Sequence, residues 1–230
     1  MVEIQTSDGV AEAYLAEPEG DGPFPAVLLY MDAYGLRPQI ERMADRIASE
    51  GYAVLAPNVF YRDHEAALGT SDFGVLREYM KALTPDAVER DARAYLDYLG
   101  PDRPVGVTGY CMGGRLTLLT AGRLPERVAA AASFHAGNLA SDAPESPHRV
   151  FGDIRAEVYV AHADQDRSMP PEQMERVEEA LAGVTHRAEL YEGARHGFTM
   201  TDLEVYDEQA DERHWRELLG LLDRTIGAAP

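Results

Sequence analysis

Three side-chain types that together perform acyl transfer follow one another along this 230-residue chain, each at the end of an apolar run. Cys111, the only cysteine, stands in Gly109-Tyr110-Cys111-Met112-Gly113-Gly114, directly after Val105-Gly106-Val107-Thr108. Glycines around a nucleophile let a strand turn abruptly into a helix, with strained backbone at the nucleophile and close approach of neighbouring segments. At such a turn the unpaired N–H groups and the helix dipole favour a thiolate, the reactive form. The competing reading of a lone cysteine is an inert, buried, small apolar side chain.

The partners lie further along. His162-Ala163-Asp164-Gln165-Asp166 leads to Pro170 after one apolar run, and Glu192-Gly193-Ala194-Arg195-His196-Gly197-Phe198 follows another. A histidine takes the nucleophile's proton and returns it to the leaving group, while a carboxylate fixes its tautomer and stabilises the imidazolium. Cys111 is thus the candidate nucleophile, His196 the proton carrier, and Asp164 or Asp166 the orienting acid. The order nucleophile, acid, histidine is that of the α/β-hydrolases and differs from the orders in the serine protease folds.

The elements that would carry these groups alternate. Short apolar runs at Ala26–Tyr30, Ala53–Ala56, Pro104–Thr108, Val128–Phe134, Val158–Ala161 and Ala188–Tyr191 suit strands buried on both faces. Amphipathic stretches at Ile40–Glu50, Pro85–Leu99, Gly113–Arg123, Pro171–Leu181 and from about Val205 to Ile226 read as helices. Val2–Thr6 and Val10–Ala16 flank Ser7-Asp8-Gly9 and predict an antiparallel hairpin. The expected fold is α/β: one domain over residues 1–230, with a mostly parallel sheet, an N-terminal antiparallel hairpin and helices on both faces. Trp215 is expected to anchor the last helix to the sheet. The stretch from Arg62 to Phe73 lacks periodicity and reads as a surface loop or a lid.

Charge and composition narrow the partners. A formal net charge of -19 opposes binding to nucleic acid or an anionic membrane, so a small organic substrate is expected. No segment approaches the roughly 20 continuous apolar residues of a membrane span. The first residues lack a secretory pattern and one cysteine forms no internal disulfide, which fits a reducing cytoplasm. His162, Asp164 and Asp166 form an oxygen and nitrogen set, yet ligands from a single loop make a poor cage, so no metal or cofactor is expected.

These motifs resemble the dienelactone hydrolase family, a cysteine branch of the α/β-hydrolases. The resemblance runs from about Ala26 to the last helix and rests on Gly109 to Gly114, on Gln165-Asp166 with Pro170 four residues later, and on His196-Gly197-Phe198. It implies hydrolysis of a small ester or lactone through an acyl-enzyme, and it selects Asp166 over Asp164 because the family's acid stands four residues before the proline. It implies an oxyanion hole from the backbone N–H groups of Met112 and Ala33. Asp32 stands where the family carries a glutamate. Arg62 matches one of two arginines that hold a substrate carboxylate, and Met200 occupies the place of the second. Tyr34, Tyr61, His135 and Phe198 lie beside these motifs and are expected to shape the substrate pocket. The alternative is a ligand-binding or redox-sensing protein on the same fold, in which Cys111 is modified without turnover.

Overall fold

The computed structural model describes residues 1–63 and 72–227. Eight strands form one sheet in the order β1-β2-β4-β3-β5-β6-β7-β8. They are β1 (Val2–Thr6), β2 (Gly9–Ala16), β3 (Ala26–Tyr30), β4 (Ala53–Pro57), β5 (Val105–Tyr110), β6 (Val128–Phe134), β7 (Glu157–Gln165) and β8 (His186–Arg195). The hairpin β1–β2 is antiparallel with Thr6 opposite Gly9, and β2 pairs antiparallel with β4. From β4 to β8 every pairing is parallel.

Parallel strands need crossovers, and helices supply them on both faces of the sheet. They are α1 (Pro38–Ser49), α2 (Phe73–Lys81), α3 (Pro85–Leu99), α4 (Met112–Arg123), α5 (Pro171–Leu181) and α6 (Glu208–Ile226), with a 3-10 turn over Pro147–Asp153. With both faces covered, every residue of β3, β4 and β5 is buried, which is why their sequences show no polar alternation. Helix starts are fixed locally. The Thr84 hydroxyl accepts from the Ala87 N–H ahead of Pro85, and the Asp207 carboxylate accepts from the Ala210 N–H. Trp215 is buried on α6, and the Arg46 guanidinium of α1 lies 4.2 Å from its ring centre, so the indole joins two helices as well as reaching the core.

Two features depart from the sequence reading. Helix α2 was not expected, because nine residues capped by the Asp72 carboxylate on the Gly74 N–H carry too little periodicity to be recognised. Strands β7 and β8 run on to Gln165 and Arg195, so each ends one residue short of Asp166 and His196. Most of the stretch from Arg62 to Phe73 lies outside the described residues.

Candidate active site

Cys111 sits where β5 gives way to α4, with φ 54° and ψ -115°. An L-residue held at positive φ of this kind costs on the order of 1–3 kcal/mol and persists only where its surroundings enforce it. Here the Cys111 N–H donates to the Phe134 carbonyl at 3.0 Å, locking the turn against β6. The glycines are needed for room. A Cβ on Gly109 would lie 2.3 Å from the Gly113 carbonyl oxygen, and one on Gly113 would lie 2.4 Å from the Tyr30 carbonyl oxygen.

His196 follows β8, and its Nδ1 lies 2.6 Å from Asp166 Oδ2. The other Asp166 oxygen accepts from the Ser168 N–H at 2.8 Å and the Ser168 hydroxyl at 2.6 Å. Burial would raise the Asp166 carboxyl, but its bonds to His196 and Ser168 prevail and hold it below the usual range. Burial alone would lower His196. The hydrogen bond with Asp166 and the neighbouring Cys111 sulfur outweigh it, and the imidazole is pushed up to about 10. Asp164, the other acid of the loop, accepts from the Gly193 N–H at 3.0 Å and so braces β8. Cys111, Asp166 and His196 open together onto a cavity of about 990 Å³, whose wall also includes Ala33, Met112, Leu116 and Leu119.

The remaining residues expected at the substrate lie elsewhere. Arg62 is spent on two carboxylates: its guanidinium donates twice to Asp91 at 2.8 Å and to Asp8 at 2.7 and 2.9 Å. The Arg62 bond is the largest cause holding the exposed Asp8 carboxyl down to about 2. Tyr61 belongs to the same cluster, its hydroxyl donating to Asp91 at 2.9 Å and bonded to Thr6 at 2.8 Å. This arginine therefore ties the hairpin to α3 and does not line the cavity among the described residues.

His135 and Phe198 are core. His135 is fully buried at the end of β6, its Nε2 bonded to the Thr199 hydroxyl at 2.8 Å. Its ring stands edge-on to His196 at 5.4 Å and to Phe198 at 5.1 Å. Burial, reinforced by the neighbouring histidines, pushes His135 well below its ordinary range, favouring the neutral imidazole. Phe198 stacks on Tyr191 at 4.9 Å.

Asp32 is also buried, and it faces Arg37 instead of the thiol. The Arg37 fork grips both Asp32 oxygens at 2.6 and 3.0 Å. The same guanidinium reaches Asp202 at 2.7 and 3.2 Å and Met200 Sδ at 3.8 Å. Asp32 and Met200, the two departures from the family pattern, thus meet on one arginine. It clamps the loop carrying Ala33 to the loop that follows His196. Tyr34 belongs to this clamp, its N–H donating to Asp32 at 2.9 Å and its ring 5.5 Å from the Arg37 guanidinium carbon.

Arg115 is one of the cavity residues that sequence reasoning passed over. It lines the cavity one helical turn beyond Cys111. The available signal was a charge inside Met112-Gly113-Gly114-Arg115-Leu116-Thr117-Leu118-Leu119, an otherwise uncharged opening to a buried helix. Among the described residues no cluster of three or more His, Cys, Asp or Glu side chains is placed to hold a metal. Among them, too, no helix is long and apolar enough to cross a membrane.

A mainly parallel eight-stranded sheet flanked by helices, with a strained residue at the turn between a central strand and the following helix, defines the α/β-hydrolase fold. The family model for the dienelactone hydrolases matches residues 11–226, and the chain belongs to that family of ester and lactone hydrolases. Among its relatives is an Escherichia coli K12 protein described as "Putative carboxymethylenebutenolidase", 28% identical over 220 residues, covering 90% of this chain and 80% of that protein. A protein so described from Methylorubrum extorquens AM1 is 29% identical over 228 residues, covering 94% of this chain and 78% of its own. The fold is shared with a Klebsiella pneumoniae crystal structure described as "Putative Dienelactone Hydrolase", at a TM-score of 0.88 and 24% identity over 96% of both chains. The structure described as m3DLH superposes at a TM-score of 0.82 with 28% identity, over 98% of each chain.

Proposed function

We propose that the chain, acting as a single domain, opens a small ester or lactone through a covalent acyl intermediate on Cys111. The observation that carries this reading is the Asp166–His196 hydrogen bond beside Cys111, all three side chains opening on one cavity large enough for a small molecule. Membership of the family supports the bond class, and the name of the relatives points to a lactone.

His196, oriented by Asp166, takes the thiol proton, so the attacking group is the sulfur anion paired with an imidazolium. The sulfur adds to the carbonyl carbon and the carbonyl electron pair moves to oxygen. Ala33 and Met112 both line the cavity, and their N–H groups are the donors assigned to that oxyanion. Preorganised donors of this kind are worth roughly 3 kcal/mol each. Collapse of the adduct expels the alkoxide, which takes the His196 proton and leaves a thioester and a neutral imidazole. His196 then removes a proton from water, hydroxide adds to the thioester, and the sulfur departs as the anion beside the regenerated imidazolium. Asp166 keeps the ring oriented throughout.

Hydrolysis of p-nitrophenyl acetate by the wild type and by Cys111→Ala, with intact-protein mass spectrometry of the quenched burst, tests the reading. A drop of about 10⁴-fold or more in kcat and an acetyl adduct on Cys111 are expected. Equal rates in the two proteins would refute it.

A further inference from the structure

A guanidinium inside a catalytic cavity is costly unless something neutralises it. Arg115 is such a group. Its Nε is buried and has no hydrogen-bond partner, and no carboxylate lies within ion-pair distance of its guanidinium among the described residues. Burial weakens its hold on its proton, opposed only at a distance by Cys111 and Glu145.

The other cations around the cavity are different. Lys81 is paired with Glu78 at 2.7 Å, Arg77 has its own interactions, and Arg167 stands exposed. Glu145 lines the cavity but is exposed and makes no ion pair with Arg115. Arg62, meanwhile, is saturated by Asp8 and Asp91, and Met200 carries no charge.

We propose that Arg115 is the specificity-determining residue of this cavity, and that it binds a carboxylate carried by the substrate, bringing that group within one helical turn of the attacking sulfur. An arginine fork suits a carboxylate because two parallel N–H donors match its two oxygens, and in a partly dry cavity that pairing is stronger than in water. The carboxylate supplies the countercharge that the protein withholds. The surrounding chain, at a net charge of -19, repels anions in general, so selection of one depends on a local cation at the point of chemistry. The assignment rests on the reading that Cys111 is the nucleophile of this cavity.

Iodoacetate and iodoacetamide give a test that needs no turnover, since they alkylate the same sulfur and differ chiefly in carrying a carboxylate or a neutral amide. The ratio of their second-order rate constants at Cys111 is measured at 0.15 M salt in the wild type, Arg115→Met, Arg115→Lys and Arg224→Met. Arg224, at the far end of α6 and paired with Glu157, controls for the change in net charge. The expected ratio falls about tenfold in Arg115→Met, partly recovers in Arg115→Lys and stays at the wild-type value in Arg224→Met. A ratio unchanged by Arg115→Met overturns the proposal, including the case where both reagents slow equally, which would assign Arg115 to the thiol itself. If hydrolysis of p-nitrophenyl acetate proves independent of Cys111 while the ratio still falls, the acyl-enzyme reading fails and the carboxylate site stands.

Discussion

Replacing Gly113 by alanine adds one methyl group and should damage both stability and activity, for a reason the backbone geometry makes quantitative. The new Cβ would stand 2.4 Å from the Tyr30 carbonyl oxygen, 2.5 Å from that of Met31 and 2.8 Å from the Tyr30 carbonyl carbon. Ordinary contact begins near 3.4 Å, so the closest of these atoms must retreat by about 1 Å. They cannot retreat freely, because β3 is hydrogen-bonded to β4 on one side and β5 on the other. Overpacking costs ~1–3 kcal/mol, and contact with fixed backbone belongs at the upper end. Alanine's helical preference returns at most about 1 kcal/mol, leaving a net loss of ~1–2 kcal/mol. The displaced backbone leads directly into the loop carrying Ala33, and a shift on the order of 1 Å at the proposed oxyanion donor there should cost about 10²-fold in kcat/KM. Gly220 provides the contrast. It is an exposed helical glycine whose Cβ would meet only Arg224 Nη1 at 3.6 Å, so Gly220→Ala should stabilise the fold by up to ~1 kcal/mol with turnover preserved. Urea denaturation and p-nitrophenyl acetate kinetics on both variants decide the matter. If Gly113→Ala is as stable as Gly220→Ala, or keeps kcat/KM to within about threefold, the crowding argument is refuted.

Removing the clamp with Arg37→Met strands the buried Asp32 carboxylate and should cost about 3–5 kcal/mol by chemical denaturation, much of it recovered in Asp32→Ala/Arg37→Met. Additive losses in the double variant would show that the two side chains act independently. The His196 imidazole, followed by NMR, should titrate near 10 in the wild type, lower in Cys111→Ala and lower again when Asp166→Asn is added. A midpoint indifferent to both changes would contradict the coupling of His196 to Asp166 and Cys111. A pKa raised on folding stabilises the native state fully below the unfolded value of about 6.5 and loses that effect as pH climbs through the folded value. The stability advantage of wild type over His196→Gln should therefore decline from pH 7 to pH 10; an advantage that grows over that range would reverse the sign of the coupling.

Residues whose roles follow from local chain chemistry were legible before any coordinates. The glycines around Cys111 mark the sharp turn, and short uninterrupted apolar runs mark strands covered on both faces, so the loops bearing Asp166 and His196 stand out as strand ends. Side chains whose role depends on who stands opposite were not legible. Arg62 is taken up by Asp8 from the hairpin and Asp91 from α3, partners 54 and 29 residues away. Asp32 looks toward Arg37 and not toward sulfur because a buried carboxylate needs a fork of donors, and that need is invisible until α1 is docked. His135 and Phe198 lie near the motif residues in sequence, but both are buried, His135 edge-on to His196 and Phe198 stacked on Tyr191. Arg115 was missed because an arginine in a helix is usually a solvated one, and only the burial of α4 makes it exceptional.

The single sulfhydryl of this chain is half-buried at the cavity, and this makes the unmodified protein its own counting device. A thiol-directed dye, spin label or fluorinated tag has one address, with no background cysteines to remove first. The molar uptake of such a reagent then reads out the fraction of molecules whose Cys111 is accessible and reduced. Preparations can be normalised to reduced, accessible thiol instead of total protein, and a tag placed there reports on whatever enters the cavity.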